Sequence, residues 1–407
     1  MRPLAPGLMP STVDDWGLDS HISHQCFLRK LEVINKKLNE HLRKQRWPKL
    51  THVDVGGAVL QLPIKPEALL ASKIPSVQAD LAYLAGVFDG DGCVSPTADI
   101  HISSCRLIVG QVASNIPILL AFLCRFGGSI AVGNPGKGCR RPQVQWTACG
   151  SRARAVASEL YEHSLVKREQ LEIATNWPEC RSRRMKYAAR LKDLKRSAPN
   201  ITRRVICWPY FTGFFDAEGC IVVSPLNRNV RVQVSQRDVP ILISMQSFLL
   251  HELPAGSHVA VRKSSQFGHI LEVSSRKAVL YILEKMVANR LLLKRVTAEH
   301  VLDSIGSSLA VLRGAEPLVK GNQALFRKLD AEGCFRASKI KRLQDKCRCA
   351  RIRGHLLTVS ELQNQLTDAK LEHAILNAMT RIKQLRSEIA KLRSQARHIP
   401  TKVFQWP

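Results

Sequence analysis

No stretch of this 407-residue chain reaches the roughly 18 consecutive apolar residues that a helix needs to cross a bilayer, so an integral membrane protein is not expected. None of the 12 cysteines stands in a CxxC pair. The nearest two, Cys347 and Cys349 with His355 close by, lack the spacing of a zinc site. Scattered in this way, the thiols read as reduced, which points to an intracellular, reducing compartment, organelle or nucleus. The first 20 residues hold Asp14, Asp15 and Asp19, unlike an Arg-rich, acid-poor transit peptide. Acid is otherwise scarce: 33 Asp and Glu face 61 Lys and Arg, a formal net charge of +28. That excess attracts polyanions, either nucleic acid or an anionic membrane surface.

What is present is an ordinary globular composition, 45% apolar and 23% charged, with room for two or three domains. It excludes wholesale disorder and a fibrous repeat. Residues 1–76 form an N-terminal extension around a basic amphipathic helix at about 23–46, where Phe27, Leu28, Leu31, Ile34, Leu38 and Leu42 recur at helical spacing. This helix can meet nucleic acid or a partner, or it can pack on the main body with its charges solvated.

From about 77 to 313 one order of segments occurs twice. Each copy opens with an apolar helix ending in an acid and a glycine, 83–92 (YLAGVFDGDG) and 210–219 (YFTGFFDAEG). Alternating sequence follows; in the second copy Val230, Val232 and Val234 face a core while Arg231, Gln233 and Ser235 face outward. Next come an apolar helix, 116–126 and 239–250, more strand-like sequence around GNPGKG and SSQFG, then a helix and a Lys-containing segment. The expected fold class is α+β, with tandem α-β-β-α-β-β-α units over 77–178 and 206–313. A basic linker, 179–205, joins them, solvated or touching phosphate, and a basic helical C-terminal extension covers 314–407. There Ile375, Ile382 and Ile389 repeat every seven residues beside Leu371, Ala378, Leu385 and Leu392. Such a seam fits self-association or a protein partner through a coiled coil, or a helix folded back on the body.

In the repeated helix Ala82, Gly86 and Gly90 form one small-residue stripe, and Gly213 and Ala217 repeat it. Helices that meet through such stripes approach almost backbone to backbone. The acids at their ends, Asp91 and Glu218, would then come together beside helix termini that are already electronegative. Carboxylates placed so either share a proton or hold a hard cation. With no His or Cys cluster the cation is magnesium or calcium rather than zinc, and a basic surface around it fits phosphodiester hydrolysis. A single Asp-Gly or Glu-Gly reads as a helix C-cap with left-handed glycine. Recurrence in both copies makes that reading insufficient.

Residues 84–92 (LAGVFDGDG) and 211–219 (FTGFFDAEG) resemble the two signature motifs of single-chain LAGLIDADG homing endonucleases. The resemblance spans about 77–313 and leaves both extensions unexplained. It implies a pseudo-twofold monomer in which each half offers a saddle-shaped antiparallel sheet to the major groove of double-stranded DNA. It also implies magnesium-dependent cleavage of both strands at a long asymmetric target, leaving short 3′ overhangs. Carried over by motif position, Asp91 and Glu218 are the catalytic, metal-binding acids. They would share two or three Mg2+ ions, with Mn2+ substituting and Ca2+ binding without cleavage. Asp89 and Asp216 fall at a structural position. Gln236 matches the polar solvent-organising residue of the family, whereas GQVASN leaves Ser114 or Asn115 in that place in the first copy. Lys167 and Lys294 match the lysine near the start of the last helix, where it would assist charge development. Candidate DNA-reading side chains are His101, Ser103, Gln143 and Gln145 in the first copy and Arg231, Gln233, Ser235 and Arg262 in the second. The alternative is a non-cleaving scaffold, either a maturase acting on intron RNA or a DNA-binding regulator. Both acids being present favours the enzyme; the large basic extensions point the other way.

Overall fold

The structure, a computed structural model, describes residues 24–72, 78–97, 103–138, 140–201, 206–224, 229–264, 268–304 and 330–397. In chain order the elements are α1 (His24–Lys44), β1 (His52–Val55), β2 (Ala58–Gln61), α2 (Pro66–Ala71), α3 (Leu81–Asp91), β3 (Gly92–Pro96), β4 (Cys105–Val112) and α4 (Ile116–Phe126). Next are β5 (Ser129–Asn134), β6 (Gln143–Cys149), α5 (Gly150–Tyr161), α6 (Arg168–Thr175), α7 (Arg181–Leu194), α8 (Trp208–Glu218), β7 (Gly219–Ser224) and β8 (Asn229–Gln236). Then follow α9 (Val239–Glu252), β9 (Val259–Lys263), β10 (His269–Val273), α10 (Arg276–Ala288), α11 (Arg295–Ser304), α12 (Ala331–Ile352) and α13 (Leu356–Arg397). Two compact units result, one of Met1–Trp47, Lys137–Arg140 and Asn322–His398, the other of Pro48–Gly136, Arg141–Gly321 and Ile399–Pro407. Among the described residues no helix is long and apolar enough to cross a membrane.

The larger unit carries the duplication. The order α3-β3-β4-α4-β5-β6-α5 recurs as α8-β7-β8-α9-β9-β10-α10, and each copy adds a short helix, α6 or α11. This is the tandem α-β-β-α-β-β-α fold expected from the sequence. Each copy builds one four-stranded antiparallel sheet of the same order, β3-β4-β6-β5 and β7-β8-β10-β9. The registers also agree, since Gly92 lies opposite Val109 as Gly219 lies opposite Val234. Period-two patterning decides the faces. Leu107, Val109, Val232 and Val234 are buried, while their strand neighbours Arg106, Ile108, Arg231 and Gln233 are only half-buried. Helices α4 and α9 cover the inner faces. Phe122 and Phe126 pack with tilted rings around Trp146 in the first copy, and Phe248 packs on Trp208 and Phe211 in the second.

The two copies meet where α3 crosses α8. Gly86 rests on the backbone of the opposing helix: an added Cβ would lie 2.8 Å from Phe214 N and nearer still to Tyr210 O. Gly213 has the reciprocal place, where a Cβ would collide with Tyr83 O. At Gly90 the obstacle would be Ala217 Cβ, so the small-residue stripes read in the sequence are the crossing surface.

Residues 52–61 form a β hairpin that the sequence reading passed over, turning at Gly56 and Gly57 with φ of 59° and 87°. It leads to Ile64, which exchanges two backbone hydrogen bonds with Ile130 of β5 at 2.8 and 2.9 Å.

The smaller unit is helical. Phe27 and Leu31 of α1 pack with Ile375, Met379 and Ile382 of α13, and Leu42 packs with Leu385, Ile389 and Leu392. Residue numbers rise together, so α1 and α13 run parallel. After a turn at Gly354, φ 75°, α13 returns against α12, with Cys347 and Ala350 on Val359. The heptad seam of the C-terminal helix is therefore filled within the chain by α1.

Two outcomes are expected. Gly213→Leu should lower stability by about 3 kcal/mol through overpacking, read as a lower urea midpoint. Gly110→Ala, whose Cβ would meet nothing within 4 Å, should not. In sedimentation equilibrium the full chain should run as a monomer, and deletion of residues 1–46 should uncover the seam and produce a concentration-dependent dimer.

Candidate functional site

Asp91 is the last residue of α3 and Glu218 the last of α8, and in each copy the first strand begins at the very next residue. The glycines there are not left-handed caps. Gly92 and Gly219 have extended backbones, φ −77° and −83°. What they supply is space, because a Cβ would run into the ring of Phe88 or Phe215. The sharp change from helix to strand fixes both acids at the head of a sheet.

Each acid is held by a glutamine. Gln111 Nε2 donates to Asp91 Oδ2 at 2.5 Å, and Gln236 Nε2 donates to Glu218 Oε1 at 3.2 Å. Counted from the paired valines Val109 and Val234, the two glutamines occupy equivalent places. Gln111, rather than Ser114 or Asn115, is thus the counterpart of Gln236. Asn115 stands behind it, donating to Gln111 Oε1 at 3.1 Å, and Ser114 turns to Asn115. The signal was available in Val-Gly-Gln at 109–111 beside Val-Ser-Gln at 234–236, but only once the strands were aligned from their glycines.

Asp89 and Asp216 are knots. Asp89 accepts from Ser164 Oγ at 2.5 Å and from the N–H groups of Leu165, Val166 and Lys167 at 2.7 to 2.9 Å. Asp216 accepts from the N–H groups of Leu292, Leu293 and Lys294. Each also takes a 2.6 Å hydrogen bond from a tyrosine of the other copy, Tyr210 to Asp89 and Tyr83 to Asp216.

Lys167 and Lys294 return the favour at the helix ends. Lys167 Nζ donates to the carbonyls of Phe88, Asp89 and Gly90 at 2.5 to 2.9 Å, and Lys294 Nζ donates to those of Phe215 and Asp216. Buried cations there offset the negative end of each helix dipole. Burial lowers the pKa of both ammonium groups, against the pull of nearby carboxylates, chiefly Asp89 for Lys167 and Asp216 for Lys294.

Burial raises the Asp91 carboxyl above the ordinary range, against the charges of Lys167 and Lys294. Glu218 is raised by burial and then by the charge of Asp91. Among the described residues no three His, Cys, Asp or Glu side chains gather as a metal cluster. The donor set is two carboxylates flanked by amides, which fits magnesium, a hard cation held by one or two carboxylates plus waters and substrate phosphates. An open cleft reaches this place, lined by Gly90, Cys93, Lys167, Lys195, Glu218 and Gln236. Lys195, just beyond the linker helix α7, donates to Cys93 Sγ at 3.2 Å.

The strand residues fall as follows. Gln143 is exposed and Gln145 half-buried on β6, and Ser103 is exposed just before β4. Arg231, Gln233 and Ser235 are half-buried on β8, and Arg262 is exposed on β9. His101 lies outside the described residues. Three of these, Arg231, Gln233 and Arg262, converge on Glu272 of β10, an acid that the sequence reading did not single out.

No protein-family model matches the sequence, and no curated protein is significantly similar to it. In three dimensions the chain is similar to solved structures of LAGLIDADG homing endonucleases. I-GzeII in complex with its DNA target has a TM-score of 0.46 at 10% identity, over 60% of this chain and 99% of that one. I-LtrWI bound to target DNA gives 0.45 at 15% identity over 60% and 99%. The meganuclease I-SmaMI bound to uncleavable DNA gives 0.45 at 12% over 60% and 98%.

The raised carboxyls give a signed prediction. Between the ordinary carboxylate pKa and the raised values the native state binds more protons than the unfolded one, so the pair costs stability as pH rises through that window. Without divalent cation, the double variant Asp91→Asn, Glu218→Gln should melt above wild type, by a margin that grows as pH rises above the ordinary carboxylate pKa of about 4. Calcium should shrink that margin by stabilising wild type alone.

Proposed function

We propose that the chain is a site-specific endodeoxyribonuclease of the LAGLIDADG homing type. It would bind double-stranded DNA on the outer faces of its two sheets and hydrolyse a phosphodiester bond in each strand with divalent metal. The observation that carries this reading is the pairing of Asp91 and Glu218 at the ends of two helices in backbone contact. Each acid opens directly into a sheet with polar outward residues, in a chain of net charge +28.

Asp91 and Glu218, with substrate phosphate oxygens, would hold magnesium. When bound, the metal supplies Lewis acidity, activating water and offsetting the charge of the leaving oxygen. Gln111 and Gln236 orient the two carboxylates by donating Nε2 to one oxygen of each. Lys167 and Lys294 keep the helix-end carbonyls occupied, so the acids do not face a further concentration of negative charge. Because a glutamine stands on both acids, the two strand cleavages have equivalent supporting groups. The outward lysines and arginines neutralise backbone phosphates, while strand side chains reach base edges.

The test is cleavage of a candidate insertion-site duplex with magnesium. Wild type should cut both strands, while Asp91→Asn and Glu218→Gln should each lose about 10³-fold in rate and still bind. Affinity should fall steeply with added salt through counterion release. A wild type that binds the duplex and never cuts it with any divalent cation would overturn the endonuclease reading in favour of a non-cleaving scaffold.

A further inference from the structure

Among the described residues, the second sheet presents an arrangement that the first does not. On its outer face three polar side chains, two from β8 and one from β9, converge on one carboxylate oxygen of β10, Glu272 Oε2. Arg231 Nη1 lies 3.3 Å away, Arg262 Nη2 lies 2.8 Å away, and Gln233 Nε2 also donates. The other oxygen, Oε1, is an acceptor that none of these three bonds uses. The Glu272 side chain is 17% exposed, against 32% for Arg231 and 51% for Arg262, so the acid sits at the root of the cluster with the cations above it. Burial works to raise this carboxyl, but the bonds from Arg262 and Gln233 and the charge of Arg231 hold it below the usual range. It is a fixed anion on a face that otherwise suits a polyanion.

A carboxylate there cannot add affinity for phosphate; it repels it. What it adds is discrimination. It accepts and never donates, so in the major groove it pairs with an exocyclic amine and rejects the O6 of guanine and the O4 of thymine. Its bond to Nε2 also settles which way the Gln233 amide points, and its grip on two guanidinium groups leaves their remaining N–H donors in set directions. Among the described residues the first sheet shows no such centre. Register places Thr147 there, opposite Ile108, as Glu272 lies opposite Gln233, although Arg106 stands where Arg231 does.

We propose that Glu272 is a specificity-determining residue of the second sheet, accepting from the amine of a cytosine while it holds Arg231, Gln233 and Arg262 against neighbouring base edges. This rests on the DNA-binding reading above, and it makes the two half-sites unequal in stringency. The second half-site contains a strongly required C·G pair that has no equivalent in the first.

The experiment is selection of bound sequences from a pool of randomised duplexes by the full chain in EDTA, with wild type and Glu272→Gln side by side. Expected is a loss of about tenfold in the preference for that C·G pair, within the range a good base contact supplies. It should be confined to one half of the site, with total affinity unchanged or higher. The other half serves as internal control. A profile that does not change, or that relaxes equally in both halves, overturns the proposal. As a measurement independent of any variant, N4-methylcytosine at the selected position, which blocks the groove-side amine hydrogen, should weaken wild-type binding by a similar factor; unaltered binding overturns it. A wild type that selects no common sequence would instead remove the DNA-reading function itself, and the inference with it.

Discussion

The contact of α3 with α8 is the constraint from which the rest of the larger unit follows. Gly86 and Gly213 leave no room for a side chain between the two backbones, and that closeness brings the terminal acids of both helices to one place. The reciprocal bonds Tyr83 to Asp216 and Tyr210 to Asp89 then tie each helix to the loop that the other copy's aspartate organises. Neither copy is complete alone: the aspartate two residues before the end of each apolar helix, Asp89 or Asp216, gathers the N–H groups of its own copy's loop and is closed off by a tyrosine from the other copy. A substitution at the crossing would therefore be felt in the loops that begin α6 and α11, which hang on the same two helices.

Placing two carboxylates at helix C-termini runs against the dipole, and the chain meets the difficulty locally. Lys167 and Lys294 stand just before α6 and α11, at the ends of the loops whose N–H groups Asp89 and Asp216 hold, and their ammonium groups return to the carbonyls just ahead of the acids. An anion at each helix start and a cation at each helix end thus form a closed loop of charge-assisted bonds. Asp91 and Glu218 are left outside it with an amide donor each, which is why burial dominates their titration.

Much of this was legible in the sequence because it depends on short periods. A stripe every four residues gave the helix crossing, and alternation gave the strand faces of β8. The two acids stood out because they recur. Gln111 was missed because its role depends on strand register, and Gly110 breaks the valine alternation just before it. Glu272 was missed because three strands must be laid side by side before Arg231, Gln233 and Arg262 are seen to share it. The hairpin at 52–61 carried its own signal, a Gly-Gly turn between alternating residues, but was absorbed into a segment read as a basic extension. The heptads of α13 announced a seam without naming what fills it, since Asn35 and Ala378, joined by a hydrogen bond, stand 343 positions apart.

That separation bears on how the molecule is made. The apolar side of α1, with Phe27, Leu31 and Leu42, belongs with residues of α13 that leave the ribosome after both duplicated copies. Since domains generally fold in the order of synthesis, the nascent chain carries α1 without its α13 partner throughout production of the larger unit. The sheets and the acid pair can assemble in the meantime from contacts closer in sequence, and the helical unit is the last to close. Closure across so long a loop adds little entropy beyond that of a shorter one, about 0.6 kcal/mol per doubling, so the delay is kinetic rather than thermodynamic. During synthesis the apolar side of α1 thus waits for the seam of α13 that covers it.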